Sequence, residues 1–87
     1  MELAAKLLQR LGGAANVTLL EPCLSRVRTT VVNPALVDVP ALRALGAYGV
    51  VISGHIIQVV IGADTAVLVR EMEKLISQIG SPQGATV

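Results

Sequence analysis

The spacing of apolar residues changes along the chain, and each change predicts an element. Near the N-terminus, leucines at helical spacing run up to Gly12-Gly13, which predicts a helix from Glu2 to Leu11 ended by a left-handed glycine. A last helix is predicted by a second set of apolar residues at helical spacing: Leu68, Met72, Leu75, Ile76 and Ile79. Helices are therefore expected at both ends of the chain.

Between these helices, β-branched and alternating residues predict two hairpins. The predicted strands cover Val17 to Glu21, Arg26 to Val32, Val50 to Ile52 and Ile56 to Ile61. A loop from Glu21 to Ser25 is expected to join the first pair. Between the hairpins, Asp38 and Pro40 predict the N-cap and first turn of a short helix.

The resulting order, α-β-β-α-β-β-α, predicts an α+β split sandwich: a four-stranded antiparallel sheet with three helices on one face. With 87 residues, the chain has room for a single small domain. We expect this domain to occupy residues 1–80 and residues 81–87 to form a flexible tail.

Composition and charge narrow the range of functions. The chain is 53% hydrophobic, yet Tyr48 is its only aromatic residue and its net charge is +1, which argue against a nucleic-acid surface. No apolar run approaches the roughly 18 residues of a membrane span, and no secretory leader is recognised, so we expect a cytoplasmic protein. His55 has no neighbouring histidine or cysteine with which to bind a metal, and nothing in the sequence demands a metal or cofactor.

The chain's one cysteine, Cys23, lies just ahead of Arg26 and Arg28. If the residues after Ser25 are extended, the two guanidinium groups project from one strand face, with Cα atoms about 6.5 Å apart. Nearby arginines favour a thiolate and grip phosphate oxygens bidentately. The run therefore predicts a phosphoryl-accepting thiol with two arginines beside it.

A second interpretation stays open on residue chemistry alone. Free cysteines are often buried and inert, and arginines alternating on a strand are often a solvated face. Glu21 is more readily explained as a solvated strand-end charge than as an acid-base partner, since a carboxylate beside a thiol disfavours the thiolate.

Several motifs in order resemble one family. They are Leu11-Gly12-Gly13, Asn16-Val17, Cys23-Leu24-Ser25-Arg26-Val27-Arg28, Val37-Asp38, Leu42 to Val50, and Gln58-Val59-Val60-Ile61-Gly62. From Leu11 to Ile79 the chain is similar to the glucose-type IIB (EIIB) domain of the bacterial phosphoenolpyruvate-dependent sugar phosphotransferase system. Pro22 and Ile61 depart from the family pattern, which has a small residue before the cysteine and a phenylalanine before the last glycine.

The resemblance implies a phosphotransferase in which Cys23 takes a phosphoryl group from a IIA phosphohistidine and passes it to a sugar held by a membrane IIC permease. Arg26 and Arg28 would serve mainly the onward step. Ser25 would donate a hydroxyl to phosphate, and Leu24 would belong to the rim that docks IIA. A monomer that meets IIA and IIC transiently at the inner face of the membrane is expected.

Two alternatives accompany this expectation. One is a regulatory, phosphorylation-dependent binding module of the same fold that passes no phosphate to sugar. The other is a structural α+β interaction domain with an inert cysteine.

Overall fold

The protein is described from a computed structural model that covers residues 2–85, with side chains described for residues 2–78. The elements, in chain order, are α1 Glu2–Arg10, β1 Val17–Cys23, β2 Arg26–Val31, α2 Val39–Ala44, β3 Gly49–Ser53, β4 Ile56–Val60 and α3 Thr65–Ala85. Short 3-10 turns at Ala14–Asn16 and Pro34–Leu36 precede β1 and α2. Within residues 2–85, none of the helices combines the length and the apolar composition that a membrane span requires.

The four strands form one antiparallel sheet in the order β1-β2-β4-β3. The predicted α+β class, the strand number and the antiparallel pairing are confirmed. Because β2 and β4 lie in the centre, the two hairpins join through these strands, and β1 and β3 become the edges. The register brings the start of β2 beside the ends of both β1 and β4.

The two faces of the sheet differ in burial. On β2, the side chains of Val27, Thr29 and Val31 are buried, whereas those of Arg26 and Arg28 lie on the other face. The buried face packs against all three helices through one cluster that includes Leu7, Leu42, Leu68, Met72, Ile57 and Val59. Each such side chain contributes about 1.5–3 kcal/mol by its removal from water. The face without helices, here called the open face, is the one that carries the arginines.

The predicted loop from Glu21 to Ser25 was wrong. Strand β1 continues through Cys23, and only Leu24 and Ser25 form the turn. Pro22 does not end the strand, because β1 is an edge and Pro22 pairs with Val27 between two hydrogen-bonded pairs. The missing N–H of a residue in that position faces away from the partner strand.

The first helix ends in a tightly packed corner. Asn16, which is buried, donates from Nδ2 to the oxygen of Leu11 at 2.7 Å and to that of Asn33 at 3.1 Å. Its Oδ1 accepts from the N–H of Asn33 at 2.8 Å. A Cβ at Gly12, where φ is +105°, would lie 2.5 Å from Asn16 Nδ2. The corner therefore requires glycine at this position.

The other predicted boundaries of helices and strands lie close to the observed ones, except for the end of the last helix. Helix α2 begins as predicted, with the Asp38 carboxylate accepting from the N–H of Ala41 at 3.1 Å. Helix α3 continues to Ala85, so residues 81–85 are helical where a tail was predicted. Residues 86–87 and the side chain of Ile79 lie outside the described part, and the domain bounds stay a prediction.

Candidate active site at the first hairpin turn

Cys23 and Arg26 form the residue pair that closes the first hairpin. They lie directly opposite each other in the register of β1 and β2, on the open face of the sheet. A pair that flanks a two-residue turn is hydrogen-bonded, with Cα atoms about 5.5 Å apart. The half-buried Cys23 is therefore next to the Cα of Arg26, whose side chain is exposed.

Arg28 and Glu21 form the next pair on this face. Arg28 Nε lies 3.6 Å from Glu21 Oε1, and the two side chains are 43% and 50% exposed. The sequence prediction that both arginines lie on one strand face agrees with this register, and the structure adds Cys23 to the same face. The structure adds a difference between them: Arg28 has a carboxylate partner, whereas Arg26 makes no ion pair or side-chain hydrogen bond with any residue of the described part.

Leu24 occupies the tip of the turn in a strained conformation. Its φ is +58°, in the left-handed region that costs a leucine about 1–2 kcal/mol, and its side chain is 95% exposed. Positive φ at the first central position alone is typical of a type II′ turn, in which glycine is the favoured residue. A large apolar side chain is therefore presented to solvent beside Cys23 at a cost in stability.

Ser25 fixes the turn to the neighbouring strand. Its carbonyl oxygen accepts from the N–H groups of Ile61 and Gly62, both at 2.9 Å. The Ser25 side chain is exposed and makes no hydrogen bond within the described residues. The backbone around Cys23 is thus held in place, while the hydroxyl remains available to a ligand.

Two further residues near the site follow from the sheet register. Gln58 on β4 lies opposite Arg28, and it is a polar residue in an otherwise apolar strand. Tyr48, 83% exposed, donates its backbone N–H to the oxygen of Val60 at 2.9 Å, and Val60 is the β4 residue that lies opposite Arg26. The isolated polarity of Gln58 was a usable signal in the sequence, but the position of Tyr48 required the pairing of β2 with β4.

Other features lie away from this face. The hydrogen bond from Lys74, together with its charge, lowers the pKa of Glu71, and both residues belong to α3 in the helix layer. A cavity of about 360 Å³ lies between α1 and α3, and Leu8 and Leu75 are among its lining residues. His55 is in the second hairpin turn, where its Nδ1 lies 2.9 Å from the oxygen of Val31. Residues 2–85 contain no group of three or more His, Cys, Asp or Glu side chains able to hold a metal ion.

Comparison with known proteins gives consistent matches. A family model described as phosphotransferase system, EIIB, matches residues 5–38, a stretch that contains the first hairpin. An N-acetylglucosamine-specific EIIB component of Streptomyces coelicolor is 47% identical over 72 residues, which are 83% of this chain and 94% of that protein. A glucose-specific EIICBA component of Staphylococcus carnosus is 37% identical over 87 residues, 99% of this chain but 13% of the relative.

Proposed function

Because this chain belongs to the EIIB family of the phosphotransferase system, we propose that it carries a phosphoryl group on Cys23 between a IIA phosphohistidine and a sugar bound by a membrane IIC permease. The proposal rests chiefly on the position of Cys23 directly opposite Arg26 on the open face. Among the described residues, Arg26 has no side-chain partner of its own. A thiol and a guanidinium side by side on an exposed surface can receive a phosphoryl group from one protein and present it to a second.

Acceptance is an in-line displacement at phosphorus. The Cys23 thiolate attacks, the S–P bond forms, and the N–P bond of the donor histidine breaks. The proton given up by the thiol is balanced by the proton that the departing imidazole takes. Arg26 lies where its guanidinium can bind the phosphoryl oxygens as they approach sulfur, and the Ser25 hydroxyl can donate to the same group.

Onward transfer reverses the role of sulfur. A sugar hydroxyl attacks the phosphorus, the S–P bond breaks, and Cys23 leaves as a thiolate while the hydroxyl proton is released to a base. Arg26 and Arg28 stabilise the charge on the equatorial oxygens and on the leaving sulfur. Because the phosphoryl group is already covalently held, no nucleotide is needed at this site.

Partner docking is assigned to the apolar residues around the turn. Leu24 projects beyond Cys23, so it can enter an apolar pocket on IIA when the two reacting groups meet. The EIICBA name of the Staphylococcus carnosus relative supports IIA and IIC as the donor and acceptor partners. The chain then works as a monomer at the inner face of the cell membrane, and N-acetylglucosamine and glucose are the first sugars to test.

The proposal is tested by intact mass after incubation with phosphoenolpyruvate and a reconstituted relay that ends in a glucose-type IIA. We expect the chain to gain one labile phosphoryl group, and Cys23→Ser to gain none under identical conditions. An unmodified wild-type chain with several IIA donors would contradict the carrier role. Phosphorylation without any transfer to sugar would instead favour the regulatory binding module.

A further inference from the structure

Glu21 is the acidic residue nearest in register to the proposed phosphoryl site. It lies two residues before Cys23 on the same strand face, and it faces Arg28 across the hairpin. Resting on the proposed function, we propose that Glu21 is a positioning residue: it holds Arg28 while Cys23 is unmodified and releases it to the phosphorylated sulfur. Glu21 then limits how stable the phosphocysteine becomes.

The existing ion pair is weak enough to be exchanged. The 3.6 Å distance between Arg28 Nε and Glu21 Oε1 is longer than a good hydrogen bond, and both side chains are about half exposed. An exposed pair of this kind favours contact over separation by roughly fivefold at most. Arg28 is therefore kept near the site without being locked to its partner.

The two arginines differ in a way that suits successive use. Arg26 lies opposite Cys23 and has no side-chain partner in the described part of the chain, so an incoming phosphoryl group meets it without breaking any contact. Arg28 is one pair further along and engaged with Glu21. Arg28 can bind the phosphoryl group as a second ligand only if its guanidinium leaves the Glu21 carboxylate.

Phosphorylation supplies the reason for Arg28 to move. A phosphoryl group carries a charge of about −1.5 to −2 and three acceptor oxygens, so it attracts a guanidinium more strongly than a single carboxylate does. Once Arg28 has moved, Glu21 is left as an unpaired negative charge two residues from the phosphocysteine. The resulting repulsion weakens retention of the group on Cys23 and favours its departure. Glu21 takes no part in bond making, since the S–P bond forms and breaks as described above.

The test compares Glu21→Gln and Glu21→Asp with the wild-type chain and with Glu73→Gln, which removes an exposed carboxylate from α3. The measured quantity is the equilibrium constant for phosphoryl exchange between phosphorylated IIA and the chain, read by intact mass. We expect Glu21→Gln to shift this equilibrium toward phosphorylated chain by roughly threefold to tenfold, as expected for removal of one like charge near a surface. Glu21→Asp should stay near the wild-type value, and Glu73→Gln should match it.

A spectroscopic readout accompanies the equilibrium. The Arg28 Nε–H resonance should shift on phosphorylation of the wild-type chain, and in Glu21→Gln it should already differ from wild type before phosphorylation. The role of Glu21 would be overturned by equal exchange constants for wild type and Glu21→Gln, or by an Arg28 resonance that does not shift on phosphorylation. Either result would leave the proposed function standing. A wild-type chain that accepts no phosphoryl group would overturn the proposed function and this inference with it.

Discussion

The arrangement of Cys23 and Arg26 depends on a turn of only two residues. With the turn at Leu24 and Ser25, the thiol and the first arginine become cross-strand neighbours, and Arg28 follows on the same face. A five-residue loop would have left Cys23 off the sheet and free to move. Backbone pairing between β1 and β2 therefore sets the positions of these residues.

Substitution of Arg26 separates the two transfer steps. We expect Arg26→Lys to retain most acceptance from IIA but to lose transfer to sugar by about tenfold or more, because an ammonium keeps the charge and loses the planar fork. The two rates are measured separately, by phosphorylation of the chain and by release of sugar phosphate. Arg43→Lys on α2 is the matched control. An equal loss in both steps would contradict the division of labour.

Substitution of Leu24 tests whether its strain is retained for docking. Leu24→Gly relieves a positive φ at the tip of the turn, so we expect the free energy of unfolding to rise by up to about 1 kcal/mol after the entropic cost of glycine. Phosphorylation by IIA should nevertheless slow severalfold, because an exposed apolar contact is lost. Urea denaturation and initial rates measure the two effects. Unchanged phosphorylation rates would mean that Leu24 is not a docking residue.

At the scale of elements, some predictions followed directly from local chemistry. Alternation along β2 predicted its start at Arg26 and its two faces, and the strand ends one residue before the predicted Val32. The buried residues alternate with Arg26, Arg28 and Thr30. Asp38 and Pro40 likewise predicted where α2 begins. The continuation of β1 through Pro22 was not predictable from the local sequence. It depends on β1 being an edge strand and on Pro22 occupying a position whose N–H would not bond to β2.

The corner between α1 and β1 is expected to be a main source of stability. Asn16→Ala removes three hydrogen bonds and leaves the buried carbonyl of Leu11 and the part-buried backbone groups of Asn33 without their partner. We expect a loss of about 2–3 kcal/mol in the free energy of unfolding. Thr18→Ala, which removes one exposed hydrogen bond at 3.1 Å, should cost less than about 1 kcal/mol. Similar losses for both variants in urea denaturation would contradict this account of the corner.

On the scale of the whole molecule, the sheet separates stability from chemistry. Helices and core residues occupy one face, whereas Cys23, Arg26, Arg28 and Glu21 occupy the other, close to the first hairpin turn. The shared face of Arg26 and Arg28 was predictable, because it follows from their spacing within one segment. The partnership of Glu21 with Arg28 and the nearness of Gln58 and Tyr48 were not, because they arise from pairing between strands.

The proposed function depends most on direct transfer of the phosphoryl group from Cys23 to a sugar. The chain is first phosphorylated, freed of IIA and phosphoenolpyruvate, and then mixed with membranes that contain an N-acetylglucosamine or glucose IIC and the labelled sugar. We expect sugar phosphate to appear in step with loss of the phosphoryl mass from the chain, and Cys23→Ser to yield none. As a control, the EIIB that normally works with that permease should lose its phosphoryl group under the same conditions. If this control loses its phosphoryl group while the chain keeps its own in the presence of permease and sugar, direct transfer from Cys23 is contradicted.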